Sequence, residues 1–114
     1  TYLFNQRAVD IIDQHDKSQP LFLYLAYQAV HAPTEVPQQY QNMYINTINN
    51  TLRQEFAGMV TCMDDSIGNI TDKLQKEGYL DATGNTILVF LSDNGGQIPG
   101  DPGGDHGLTG TCND

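Results

Sequence analysis

Three side chains in this sequence are of the types that chemistry needs, and each follows an apolar run. His31 opens "HAPTEVP" directly after "LFLYLAYQAV", and Asp93 and Asn94 stand in "SDNGG" directly after "TILVFL". A histidine changes charge near neutral pH, so it can give or take a proton or contact an anion. Asp and Asn bring oxygen donors that suit a hard cation such as calcium or magnesium, and adjacent glycines let backbone approach closely. Each also has a plainer reading. Asp, Asn and Gly are what turns are made of, because Asx side chains bond nearby backbone and glycine accepts positive φ. A lone histidine after a strand is more often a hydrogen-bonded loop residue than a catalyst. Calcium takes about six to eight oxygens, so two donors need others from elsewhere.

The elements that must position these residues follow from periodicity. In residues 4–15, Phe4, Ala8, Ile11 and Ile12 recur at threes and fours, which predicts a helix with one apolar face. "DKSQP" breaks it. Residues 21–30 are continuously apolar and aromatic, the pattern of a strand buried on both sides of a sheet. Pro33 and Pro37 then forbid further ladder pairing. "PQQYQNMY" suits a short helix with Pro37 at its first position, within an otherwise polar surface loop over 34–51.

From about Leu52 a long helix is expected, with Phe56, Met59, Val60, Met63, Ile67, Ile70 and Leu74 as its core stripe and Gly78 as its stop. Gly58 and Gly68 inside it each cost about 1 kcal/mol relative to alanine, so close packing is the expected reason for both. "DATGN" is a turn, and "TILVFL" over 86–91 a second buried strand. The last 18 residues hold five glycines and two prolines and cannot build much core.

Strand, long helix, strand implies parallel pairing in an α/β sheet. Two strands are too few for a buried parallel sheet, so the pattern is expected to be part of a larger one. Ligands of open α/β sheets bind beyond the carboxyl ends of parallel strands. On that rule, one edge presents His31 together with Asp93 and Asn94.

Composition narrows the partners. The chain has 114 residues, 39% hydrophobic and 17% charged, which fits one globular domain. A formal charge of −9 with only five Lys and Arg excludes nucleic acid and anionic membrane surfaces as expected partners. No apolar run approaches the roughly 20 residues of a membrane span. The chain opens at Thr1 rather than Met, which is compatible with loss of a leader. Cys62 and Cys112 fit no zinc spacing. Cys62 reads as a small core residue, and pairing of the two is left open. Asn49 in "NNT" and Asn69 in "NIT" are glycosylation candidates and favour a secretory route. Asp64 and Asp65 are expected to be helix surface rather than catalytic, and "DHG" from Asp105 to be solvated loop.

"PLFLYLAYQAVHAPTEVPQQY", "FAGMVTCMDDSIGNIT" and "NTILVFLSDNGGQ" resemble three consecutive blocks of the sulfatase family, in the family's order. Within it they are most similar to the arylsulfatase B group of animal enzymes, which includes N-acetylgalactosamine-4-sulfatase. The resemblance implies an α/β sandwich like alkaline phosphatase, with a mostly parallel sheet present here as a partial domain. It implies hydrolysis of sulfate esters of a glycan or aryl sulfate, calcium as cofactor, and a formylglycine nucleophile made in a Cys-x-Pro-x-Arg motif. It assigns Asp93 and Asn94 as metal ligands and His31 as the histidine beside the sulfate that assists departure of the alcohol. A lysosomal or extracellular location goes with it.

The departures are equally specific. Neither Cys62 nor Cys112 lies in Cys-x-Pro-x-Arg, so this chain holds no nucleophile. The family's sulfate-binding cations are absent, and no Lys or Arg follows Lys76. Residues 1–97 are therefore expected to be an internal part of a sulfatase catalytic domain, and 98–114 a divergent irregular tail. Two alternatives stand. One is a related hydrolase of phosphate or phosphonate esters, and the other a sulfatase-like binding module without catalysis.

Overall fold

The computed structural model describes residues 1–82 and 85–95. Three helices form among them: α1 (Tyr2–Gln14), α2 (Gln38–Asn42) and α3 (Thr51–Lys76). They fall into two compact units. Of the described residues, one comprises Thr1–Ala29 with those from Cys62 to Leu88, the other Val30–Thr61 with those from Val89 to Gly95.

In the first unit the apolar face of α1 meets the second half of α3. Ala8 and Ile12 are buried against Ile70 and Leu74, with Leu21, Leu23, Leu25 and Tyr27 packed on this cluster. Burying a side chain such as Ile12, which is 0% exposed, stabilises by about 1.5–3 kcal/mol. Lys73 of α3 pairs with Asp13 of α1 and, at 2.8 Å, with Glu77; Lys17 reaches Glu77 at 2.6 Å. These contacts join the carboxyl ends of the two helices. Gly78, with φ of 80°, ends α3. Its amide donates to Gln75 O and that of Tyr79 to Leu74 O, which is the Schellman pattern. The apolar contact that accompanies the pattern is present too, since Tyr79 packs on the cluster containing Leu74.

In the second unit Tyr40 of α2 is buried, and the amino-terminal half of α3 comes within reach of α2 at Gly58. Tyr44 and Thr61 share a hydroxyl–hydroxyl bond of 2.5 Å. Pro37 precedes α2 as its cap rather than standing at its first position.

The two expected strands are not formed among the described residues, where helices are the only regular elements. Exposure alternates residue by residue from Leu21 to Gln28, the two-residue period of an extended chain. The inner side lies on the helices, while Phe22 and Tyr24 on the outer side are 92% and 79% exposed. The run was expected to be buried on both sides, and only one side is covered. Residues 85–91 are exposed throughout, with Ile87 at 89%. A strand is defined by ladder hydrogen bonds to a neighbour, and among the described residues neither run has one. The mostly parallel sheet of the α/β sandwich expected from the sequence is therefore not seen among the described residues. The proposed boundary at residue 97 lies outside the described residues.

The buried positions of α3 also differ from the expected stripe. Met59, Cys62, Ser66, Ile70 and Leu74 are buried, whereas Val60 is exposed. A polar residue completes the stripe because Ser66 is satisfied: its hydroxyl bonds Tyr27 Oη at 2.6 Å. Cys62 is buried, as expected of a small core residue, and among the described residues it has no disulfide partner. Close packing explains Gly58 but not Gly68, around which a β-carbon would find nothing within 4 Å.

Candidate functional site

His31 begins the segment that leads into α2, directly after the first apolar run. Its side chain is exposed, and Nδ1 lies 2.6 Å from Ala32 O. A carbonyl oxygen only accepts, so Nδ1 carries the proton of this bond, and Nε2 is the nitrogen left to exchange a proton. The segment just beyond is held to α3. Thr34 Oγ1 donates to Glu55 Oε2 at 3.0 Å, and Val36 lies against Gly58. His31 therefore presents an exposed ring from a chain segment that is anchored three residues later.

Asp93 and Asn94 form a tight exposed bend after the second apolar run. Ser92 Oγ donates to Asn94 O at 2.6 Å, and Asn94 Nδ2 donates to Gly95 O at 2.8 Å. The turn reading and the ligand reading thus coexist. The amide nitrogen closes the bend, which leaves Asn94 Oδ1 and the exposed Asp93 carboxylate as two hard oxygen donors on adjacent residues. That donor set suits calcium in kind and falls short in number. Among the described residues no three of His, Cys, Asp and Glu gather into a group that could hold a metal. His31 and the Asp93–Asn94 bend belong to the same unit.

The other candidates are placed as follows. Asp64 and Asp65 are exposed on α3, Asn69 is exposed further along the same helix, and Asn49 is exposed just ahead of it. Cys112 and the Asp105–Gly107 stretch lie outside the described residues. Two positioning residues are not among those singled out from the sequence. Ser92 shapes the bend through a hydroxyl two residues before the carbonyl it bonds, a pattern that the Ser-x-Asn spacing could have suggested. Glu55 acts across 21 residues, which no local pattern reveals. No helix among the described residues is long and apolar enough to cross a membrane.

A family model described as Sulfatase matches residues 3–113. Arylsulfatase J of Mus musculus is 42% identical over 97 residues, covering 85% of this chain and 16% of that protein. N-acetylgalactosamine-6-sulfatase of Mus musculus is 36% identical over 110 residues, covering 94% and 19%. An uncharacterized sulfatase of Escherichia coli (strain K12), YdeN, is 38% identical over 96 residues, covering 82% and 16%. The chain spans less than a fifth of the length of each of these relatives.

Proposed function

Because the chain belongs to the sulfatase family, we propose that it is an internal part of a sulfatase catalytic domain and supplies one side of a site that hydrolyses sulfate esters of a glycan or aryl sulfate. The observation that carries this is the family match over residues 3–113, within which His31 and the oxygen pair of Asp93 and Asn94 follow the two apolar runs. The arylsulfatase B group is the finer likeness. In the complete domain, residues 21–28 and 85–91 take their places in the mostly parallel sheet of an alkaline phosphatase-like fold. That placement accounts for the exposed Phe22, Tyr24 and Ile87, which would be covered by neighbouring strands together with the layer packed on that face of the sheet.

His31 has the chemistry of the leaving-group acid. Cleaving the S–O bond of a sulfate ester leaves the alcohol oxygen with the bond's electron pair, and that oxygen needs a proton. Protonated His31 donates from Nε2 while Nδ1–H stays on Ala32 O, so the ring keeps its orientation through the transfer. Asp93 and Asn94 Oδ1 are the groups that would hold calcium. Calcium held there would supply polarisation of the sulfate and would favour a deprotonated nucleophile. The nucleophile, a formylglycine in the family, belongs to a motif that neither Cys62 nor Cys112 occupies. A lysosomal or extracellular location is part of the same proposal.

The test is an assay of this chain with an aryl sulfate, calcium and a formylglycine-generating enzyme. No release of sulfate above background is expected. Sustained turnover would show that a nucleophile lies within these residues and overturn the proposed division of the site.

A further inference from the structure

We propose that Asn49 is an N-glycosylation site, displayed by the connection between α2 and α3. The tripeptide Asn49-Asn50-Thr51 has the acceptor pattern, which by itself occurs often by chance. The structure adds how the segment is held. Gln54, buried on α3, donates from Nε2 to Ile48 O at 2.6 Å. Asn50 Oδ1 accepts from the Arg53 amide at 3.0 Å, and Asn50 O from the Gln54 amide at 3.0 Å. Asn50 is therefore the amino-terminal cap of α3, a role in which Asn is among the preferred residues.

Residues 48 and 50 are both fixed, and the residue between them faces solvent. Two asparagines in succession divide the work. Asn50 spends its oxygen on the helix, and the hydrogen bonds of the segment fall on the neighbours of Asn49, whose amide stays outside them. Thr51, whose hydroxyl completes the acceptor pattern, is exposed as the first residue of α3. A glycan at Asn49 has room to extend without disturbing the cap. It would also place a large hydrophilic group on a connection that carries exposed Met43 and Ile45.

The contrast with Asn69-Ile70-Thr71 is structural. That tripeptide lies within α3, Ile70 is core, and Thr71 Oγ1 donates to Gly68 O at 2.9 Å. The proposal concerns Asn49 alone. It rests on passage through the secretory pathway and not on sulfatase chemistry, and its readout uses no activity.

The experiment expresses the whole chain behind a secretion leader in a eukaryotic host, with Asn69→Gln so that only the first tripeptide can be modified. Secreted protein is treated with peptide N-glycosidase in heavy-oxygen water and mapped by peptide mass spectrometry. The expected result is loss of one glycan per chain and heavy label at residue 49. Both should vanish in Asn49→Gln and Thr51→Ala and return in part in Thr51→Ser. Translation in the presence of microsomes provides the same comparison as a gel shift, whether or not a variant folds. Unlabelled Asn49 with no microsomal shift, or a glycan that persists in Asn49→Gln, would overturn the proposal.

Discussion

Gly58 of α3 lies so close to α2 that a β-carbon on it would stand 3.1 Å from the backbone nitrogen of Gln41. The opposing atoms are backbone, at Tyr40 as well as Gln41, and cannot swing aside. Gly58→Ala should therefore lose about 1–3 kcal/mol to overpacking, which outweighs or cancels the roughly 1 kcal/mol gained in helix propensity. Gly68→Ala is the internal control. Its surroundings are open, so the substitution should stabilise α3 by about 1 kcal/mol through helix propensity alone. Urea unfolding followed by helical circular dichroism checks both, and equal effects of the two substitutions would refute the packing assignment.

The bond from Thr34 to Glu55 anchors the chain just beyond His31. Thr34→Val keeps the shape and removes the donor. The expected loss is about 1 kcal/mol, the usual worth of a partly exposed hydrogen bond. Hydrogen exchange of the amides around residues 31–36 should accelerate in the same variant. Unchanged exchange would mean that this segment is held by other contacts.

Glu77 sets an acid limit on the first unit. Lys17, and then Lys73, hold its carboxyl at about 2, well below the ordinary 4.5. A carboxyl depressed by folding contributes its stability above the unfolded value and loses it as pH falls toward the folded one. The contribution should be fully present above about 4.5 and fade between there and about 2. Glu77→Gln should remove this part of the acid dependence, measured as the change of urea midpoint across that window. A variant with the same acid slope as the parent would contradict it.

Asp93 and Asn94 are the residues proposed to hold calcium. In a sulfatase that carries this chain as its own segment, Asp93→Ala should raise the calcium concentration needed for half-maximal turnover. Ser92→Ala, which only loosens the bend, should raise it less. Calcium titration of initial rates separates the two. An unaltered calcium requirement in Asp93→Ala would remove Asp93 from the ligand set.

What could be read from the sequence was what local pattern controls. The spacing of Ala8, Ile11 and Ile12 located α1, the threes and fours of α3 located the long helix, and Gly78 marked its end because only a residue tolerant of positive φ closes that motif comfortably. The apolar runs at 21–30 and 86–91 suggested buried strands, and among the described residues neither pairs as one: a strand needs a neighbour, which local pattern does not supply. Gly68 and Gly58 read alike in sequence, and only the placement of α2 distinguishes them. For the site, the residue types at the ends of the two apolar runs and the family blocks singled out His31, Asp93 and Asn94 as candidates. The protonated nitrogen of His31 and the use of Asn94 Nδ2 to close the bend are local geometry that no spacing encodes.

The central claim is that His31 works at a sulfate-ester centre, and a chimera tests it most directly. The stretch of this chain that aligns with Mus musculus arylsulfatase J, 97 residues at 42% identity, would replace the matching segment of that protein. Aryl sulfate hydrolysis would be compared between the chimera and its His31→Ala variant, with folding of both verified by circular dichroism. The account predicts that the chimera is active and that His31→Ala lowers kcat by roughly 10²–10⁴-fold, the usual worth of a general acid. The loss should shrink for sulfates of more acidic phenols, whose oxygens leave without a proton. A folded His31→Ala chimera that turns over within about twofold of its parent, well below that range, would contradict the account.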